Sequence, residues 1–334
     1  RVQLVHGPTP LIRRARLDEL LGAEIWIKRD DATSGAEAGN KLRKLERLLD
    51  DAVTRGADTI LTCGGIQSNH ARATAIACAQ LGLGCVLYLR YPERAPGDPS
   101  RVARREDLPK GGNVLLDRLV GAEIHLVTRD EYAQRGAVLE SEAQRLARAG
   151  KRPYVIPEGG SNGLGSLGYV EAMREVRAQL DLGLGGSRAP FEEIVHACGS
   201  GGTAAGVALG AARFDVAKRV RAVCVCDDAD YFRRVTDRIV TEARGYDPEL
   251  PTPAPLVLDE SARGPGYGVM APEQKELLGR VARASGTILD PVYTGKAMHG
   301  LAQAVERGEI KRGARVLFLH TGGLPGLLAQ ADEL

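Results

Sequence analysis

Four clusters in this chain carry residue types that can do chemistry. The first is Gly39-Asn40-Lys41-Leu42-Arg43-Lys44-Leu45-Glu46. Gly39 permits a tight turn there, and Asn40 is expected to cap the helix that follows. Lys41 then falls in the first helical turn, where the positive end of the dipole disfavours an ammonium. A lysine held toward its neutral amine suits Schiff-base chemistry. Lys44 is expected on the solvent face of the same helix, and on this motif alone Lys41 fits that plainer reading as well. The second cluster is Cys63-Gly64-Gly65-Ile66-Gln67-Ser68-Asn69-His70. Its glycines let a ligand approach the backbone, and Gln67, Ser68 and Asn69 offer donors at a helix N-terminus, a natural place for a carboxylate. A simple Ser or Asn cap is the alternative.

The third cluster is Gly199-Ser200-Gly201-Gly202-Thr203. Backbone N–H groups in such a run form a nest for phosphate. It lacks the Gly-Lys-Ser/Thr of a nucleotide P-loop. Gly199, Gly201 and Ala204 also satisfy a relaxed dinucleotide fingerprint, and Asp227 and Asp228 stand near the expected place of a ribose-binding acid. This motif alone therefore leaves an NAD-binding oxidoreductase open beside another phosphate-bearing cofactor. The fourth comprises Asp290-Pro291-Val292-Tyr293-Thr294-Gly295-Lys296 and His320-Thr321-Gly322-Gly323. Both read as loops at the carboxyl ends of strands, where α/β proteins build ligand sites.

These clusters need a framework of alternating elements. Strands are expected over 23–28, 59–63, 85–89, 122–127, 153–156, 192–198, 220–226 and 315–319. Helices are expected over 41–55, 69–82, 131–148, 164–180, 202–213, 229–243, 272–285 and 296–307, with a short one at the end. Leu42, Leu45, Leu48, Leu49, Ala52 and Val53 share one helical face. Such alternation predicts an α/β fold with mostly parallel sheets, helices on both faces and two series of βαβ units. Residues 91–112 hold four prolines with Arg101, Arg104 and Arg105 between them and read as an exposed loop, with a lid over a cleft as an alternative. Residues 247–256, also with four prolines, read as a second loop.

Composition narrows the partners. The 45 basic and 43 acidic side chains nearly cancel, so no bulk charge drives the chain toward nucleic acid. A small molecule is the expected partner. No apolar run reaches the ~18 residues of a membrane helix. The start at Arg1 lacks both a signal peptide's long apolar centre and an initiator Met, so preceding residues are expected. The six cysteines lie mostly in or beside apolar runs, the pattern of reduced thiols in a cytoplasmic protein. Cys224-Val225-Cys226 lacks zinc-knuckle spacing, and no metal site is expected.

Taken in order, GNK-x-RKLE, GGIQSNH, GSGGT, DPVYTGKA and HTGG resemble the family of D-cysteine desulfhydrase and 1-aminocyclopropane-1-carboxylate (ACC) deaminase, over nearly the whole span from Thr9-Pro10-Leu11 to Pro325. The resemblance implies the tryptophan-synthase-β type of fold: two three-layer domains with pyridoxal 5′-phosphate (PLP) in the cleft between them. The larger, PLP-binding domain would comprise 1–45 and 161–334, the smaller 46–160, and the chain would form a homodimer. It implies that Lys41 carries PLP as a Schiff base and moves the substrate's Cα proton. Gly199, Ser200, Gly201, Gly202 and Thr203 would hold the phosphate, and Asn69 the 3′-oxygen. Gln67, Ser68, Asn69 and His70 would bind substrate, with Ser68 assisting proton transfer. Tyr293 and Tyr267 (in Gly266-Tyr267-Gly268) would line the substrate side as catalytic groups.

Two positions separate the subfamilies. ACC deaminases place a glutamate at the pyridine nitrogen, where this chain has Thr294. Desulfhydrases use the threonine of HTGG, here Thr321, and His70 follows their pattern too. A hydroxyl gives a weaker electron sink than a carboxylate, which suits elimination of a good leaving group. The implied reaction is α,β-elimination from a cysteine-like amino acid, giving pyruvate, ammonia and sulfide. Ala38 and Leu42 replace the family's common Gly and Thr around Gly-Asn-Lys, and the 91–112 segment is longer than usual. L-Cysteate sulfo-lyase and ACC deaminase activities stay open, as does a PLP carrier or sensor.

Overall fold

The computed structural model describes residues 1–91, 94–95, 98–102 and 109–333. In chain order the first elements are β1 (Leu11–Arg13), α1 (Ala15–Leu21), β2 (Glu24–Lys28), α2 (Asn40–Thr54), β3 (Thr59–Gly65), α3 (Asn69–Leu81) and β4 (Gly84–Arg90). There follow β5 (Arg94–Ala95), β6 (Asp98–Val102), α4 (Asn113–Leu119), β7 (Glu123–Val127), α5 (Arg129–Ala133), α6 (Arg135–Arg148) and β8 (Pro153–Val155). The rest is α7 (Gly163–Asp181), β9 (Glu193–Cys198), α8 (Gly202–Phe214), β10 (Val220–Cys224), α9 (Ala229–Tyr246), β11 (Leu256–Asp259), α10 (Pro272–Ser285), α11 (Thr294–Glu306), β12 (Arg315–Leu319) and α12 (Leu324–Leu328).

Two main sheets sort these strands. One has the order β1-β2-β12-β9-β10-β11 and is parallel except where β1 runs against β2. The other, β7-β4-β3-β8, is parallel throughout. The central strands β9, β10 and most of β3 are buried on both faces, which is why they read as continuous apolar runs rather than alternating ones. The expected α/β class with mostly parallel sheets is what the chain adopts. Four short elements escaped the periodicity: β1, α1, α4 and β11, of three to seven residues each. The single helix expected over 131–148 is two, broken at Gln134, with Thr128 closing a capping box on Glu131. In the 91–112 segment the described pieces β5 and β6 pair antiparallel; the remainder of the expected loop lies largely outside the described residues.

Helix α2 sits between the two sheets' helical layers and sets the position of Lys41. One face buries Leu42, Leu45, Leu48, Leu49 and Ala52 against Ile60, Ala73, Ala77 and Ile156. Leu42 is thus a core residue. The other face is tied down by charge. Arg43 donates to both oxygens of Asp30, at 2.7 and 2.8 Å, and to Glu175 at 3.1 Å. Tyr169 and Thr9 also donate to Asp30, at 2.7 and 2.9 Å, while Lys28 pairs with Glu175 and donates to Gln179 at 2.7 Å. Buried charges persist only when paired in this way.

Candidate active site

The strand-to-helix turns expected to do chemistry converge on one cleft. Asn40 and Lys41 from α2, Asn69 from α3, Cys198 to Thr203 from the β9–α8 turn, Tyr293 and Thr321 line it together. Gly39, at φ 137°, makes the sharp entry to α2, and a Cβ there would stand 3.0 Å from the Thr321 carbonyl oxygen. That carbonyl accepts the Asn40 N–H at 3.1 Å, so the helix carrying Lys41 is pinned to the loop carrying Thr321. Asn40 does not cap its helix. Its side chain reaches across the cleft and donates to Thr203 Oγ1 at 3.1 Å.

Lys41 is half-buried in the cleft, and burial pushes its ammonium down to about 8, against opposing help from Glu158. Lys44 overturns the surface reading. It is only 1% exposed, because this face of α2 packs against the Glu158–Gly160 turn, and its Nζ donates to Ser161 Oγ at 3.3 Å. Burial, with Lys41 one turn away, holds Lys44 well below the ordinary lysine value.

The β9–α8 turn forms an open cradle. Helix α8 begins at Gly202 with no side-chain cap, so its N-terminal dipole is free to face a ligand. Gly199 leaves room for the Tyr293 ring, since a Cβ there would come within 2.9 Å of it. Ser161, which sequence reasoning missed, braces the cradle: its Oγ lies 2.8 Å from Ser200 Oγ and accepts the Gly202 N–H at 3.2 Å. The signal for it was there, because Glu158-Gly159-Gly160-Ser161 follows β8 as the other clusters follow their strands. Cys198, also missed, lines the floor with its thiol pushed up to about 12 by burial.

The second cluster divides. Asn69 faces the cleft. Ser68 caps α3, accepting the Ala71 N–H at 3.1 Å, and its own proton remains available. Gln67 is turned away from the cleft: its amide accepts the Asn113 N–H at 2.8 Å and donates to Gly111 at 3.0 Å, fixing the start of α4. His70 is likewise not at the mouth. It is 3% exposed, its Nε2 is 2.8 Å from Thr62 Oγ1, and burial beside Lys41 and Lys44 keeps the ring neutral. Position one residue into α3 turns it toward the core. Asp228, the acid of the dinucleotide reading, caps α9 by accepting the Tyr231 N–H at 2.7 Å.

On the open side the hydroxyls of Tyr267 and Tyr293 are 2.7 Å apart with their rings edge to face. Burial and the neighbouring Tyr267 hold Tyr293 well above its usual value, and both phenols are protonated at neutral pH. Thr294 is fully buried and faces away from the cleft. Its hydroxyl donates to Asp290 Oδ1 at 2.7 Å and accepts the Asp290 N–H at 2.8 Å. Thr321 lines the cleft instead, and among the described residues that line it there is no carboxylate. A half-buried lysine with a buried amine behind it, and a helix N-terminus opening on a glycine cradle, make a donor set that fits a phosphorylated aldehyde.

A family model described as pyridoxal-phosphate-dependent enzyme matches residues 2–322. The chain is 43% identical to a bifunctional D-cysteine desulfhydrase/1-aminocyclopropane-1-carboxylate deaminase, mitochondrial, of Arabidopsis thaliana, over 99% of this chain and 80% of that one. It is 41% identical to a putative 1-aminocyclopropane-1-carboxylate deaminase of Thermotoga maritima, over 100% and 99% of the two chains. The crystal structure of an ACC deaminase homologue superposes with a TM-score of 0.86 at 35% identity, covering 100% of this chain and 94% of the other. A fungal L-serine ammonia-lyase from Rhizomucor miehei, 18% identical with a TM-score of 0.65 over 99% of each chain, shares the fold. With its cleft built from the lysine, the glycine cradle and the tyrosines, and with this match along nearly all its length, the chain belongs to the family of pyridoxal-phosphate-dependent enzymes.

Proposed function

We propose that this enzyme catalyses α,β-elimination from a cysteine-like amino acid, as a D-cysteine desulfhydrase releasing pyruvate, ammonia and hydrogen sulfide. The observation that carries this reading is the fate of Thr294. Its hydroxyl is consumed by Asp290, and Thr321 is the side chain that faces the cleft from the neighbouring loop. Among the described residues that line the cleft a neutral hydroxyl is thus present and a carboxylate is not, which favours loss of a good leaving group over opening of a carbon ring.

When bound, PLP supplies the electron sink that stabilises negative charge at the substrate's Cα. The chain's own residues do the rest. Lys41 would hold the cofactor carbon and, once the substrate's amino group has displaced it, would take the Cα proton as the free amine, whose protonated form burial disfavours. The backbone of 199–203 and the Thr203 hydroxyl would hold the phosphate, with the Lys44 amine bracing them through Ser161. Asn69 orients the ring from α3, and the Ser68 hydroxyl hydrogen serves the substrate carboxylate. Tyr293 and Tyr267, kept protonated, donate to the departing sulfur as the Cβ–S bond breaks. Gln67 and His70 support this shell from behind.

The reading extends to the whole molecule. The larger domain (1–45 and 161–334) would hold the six-stranded sheet and the smaller (46–160) the four-stranded one, in keeping with the strands each contains. No helix among the described residues is long and apolar enough to cross a membrane, and all six cysteines are unpaired, in keeping with a cytoplasmic enzyme. Exposed Leu324 and Leu328 on α12 are in keeping with a homodimer. The test is substrate choice: PLP-loaded enzyme is given D-cysteine, L-cysteine, L-cysteate, β-chloroalanine and ACC, and keto-acid release is measured. Pyruvate and sulfide from D-cysteine, with little 2-oxobutyrate from ACC, is the expected result. Efficient ACC turnover would replace the assignment with a deaminase, and sulfite from L-cysteate with a sulfo-lyase.

A further inference from the structure

Lys296 is a buried cation with no role in the chemistry above. It sits in the first turn of α11, three residues after Tyr293, with none of its surface exposed. Among the described residues no carboxylate pairs with it. Its Nζ donates instead to two main-chain carbonyls, Arg263 O and Gly266 O, each at 2.7 Å. Gly266 immediately precedes Tyr267. An ammonium taken out of water and given only carbonyls is costly to keep, and burial accordingly pushes it down to about 8. A methionine would fill the same volume without that cost. Something is gained by the charge, and the residues it holds show what.

The segment from 260 to 270 contains no helix or strand beyond the isolated bridge between Gly266 and Val269. Gly264 and Gly268 adopt positive φ on either side of Tyr267. Tyr267 itself is 38% exposed, with the Arg90 guanidinium 5.9 Å from the centre of its ring. Its hydroxyl meets that of Tyr293 at 2.7 Å. Tyr293 is fixed by the Asp290 turn, where its N–H donates to Asp290 Oδ2 at 2.9 Å. We infer that Lys296 is the positioning residue that brings the two tyrosines together, acting through the main chain of the 263–266 segment. The Asp290 turn thus places Tyr293, and the Lys296 side chain brings Tyr267 to it through the loop.

This inference rests on the tyrosines serving the reaction, so its test has an arm that does not need turnover. In PLP-loaded Lys296→Met, hydrogen exchange at the amides of 262–268 should rise relative to wild type, while exchange in β9 and α8 stays unchanged. Lys296→Gln, which keeps an N–H donor on a shorter stem, should lie between the two and provides a second variant if Lys296→Met does not fold. The kinetic arm is a double-mutant cycle with Tyr267→Phe on D-cysteine. Lys296→Met should lower kcat/KM about tenfold alone and by less than about twofold when Tyr267 is already Phe, because coupled residues fail to add. PLP occupancy should match wild type throughout. Unchanged exchange at 262–268 in both lysine variants would overturn the inference, and so would a full Lys296→Met effect in the Tyr267→Phe background. If wild type does not turn over D-cysteine, the functional assignment fails, and the exchange arm still decides the role of Lys296.

Discussion

Thr294 is the position at which the fold and the reaction can be separated by experiment. Its hydroxyl makes two buried hydrogen bonds to one residue: it donates to the Asp290 carboxylate and accepts the Asp290 N–H. Asp290 is 2% exposed and also accepts the N–H groups of Val292, Tyr293 and Thr294 at 2.8–2.9 Å. Thr294→Val preserves shape and removes only the hydroxyl. A bond to a charged group contributes about 1.5–3 kcal/mol and a neutral one about 0.5–1.5 kcal/mol. Three N–H donors still satisfy the carboxylate, but the buried Asp290 N–H loses its acceptor, and an orphaned buried donor costs about 1–3 kcal/mol, so the loss should be about 2–4 kcal/mol. Thr294→Glu is a different perturbation: it sets a second carboxylate beside Asp290 in a buried place, at a cost on the order of 3–5 kcal/mol. Urea denaturation of wild type and both variants measures these differences, and ACC and D-cysteine turnover by the PLP-loaded proteins measures the consequence. Thr294→Glu should be the least stable of the three and should not become an efficient deaminase. A Thr294→Glu protein as stable as Thr294→Val that turns over ACC would show that this side chain swings into the cleft at little cost, and the reasoning from Asp290 would fail.

Other outcomes follow from the same geometry. Burial brings Lys41 down to about 8, and only the neutral amine attacks an aldehyde. PLP loading of apoenzyme should therefore slow about tenfold per pH unit below that value and level off above it; stopped-flow absorbance that first levels off near the pKa of an ordinary lysine would assign the reaction to another amine. Borohydride reduction should label Lys41 rather than Lys44 or Lys296, as peptide mapping will read. Arg43→Met leaves the Asp30 carboxylate without its main partner and should cost about 3–5 kcal/mol by urea denaturation. Burial raises the Asp30 carboxyl but the Arg43 guanidinium outweighs it and holds the group below its ordinary value; the stability from this pair is present at neutral pH and is lost as pH falls below about 4, so the Arg43→Met penalty should shrink there. Thr203→Val severs the Asn40 link and removes a phosphate donor, and equilibrium titration should show PLP binding weaker by roughly 1.5–3 kcal/mol.

What the sequence makes legible here depends on whether a residue's task is local. The glycine turns, the uncapped start of α8 and the apolar stripe of α2 are local patterns, and each lies where periodicity and turn chemistry place it. Side chains whose direction depends on a distant partner are another matter. Asn40 has the composition of a cap, yet Thr203, 163 residues away, takes its amide. Gln67 stands in a motif full of ligand donors, yet Asn113 and Gly111 claim both ends of it. Lys44 has the spacing of a solvent-facing lysine, and only the Glu158–Gly160 turn laid over α2 makes it a buried neighbour of Lys41.

The same logic explains why one motif holds residues with opposite tasks. Lys41 and Lys44, three positions apart, share one side of α2, while Arg43 between them points the other way. One faces the cleft, one the Asp30–Glu175 network and one the Ser161 brace. The charge network holds the helix from behind, and the brace ties it to the cradle through Ser200 and Gly202. The position of the Lys41 amine is therefore set by a guanidinium and a second amine that touch neither substrate nor reacting atoms. A substitution at Arg43 or Lys44 should be felt first in stability or PLP affinity, and one at Lys41 in both the covalent hold on PLP and the chemistry.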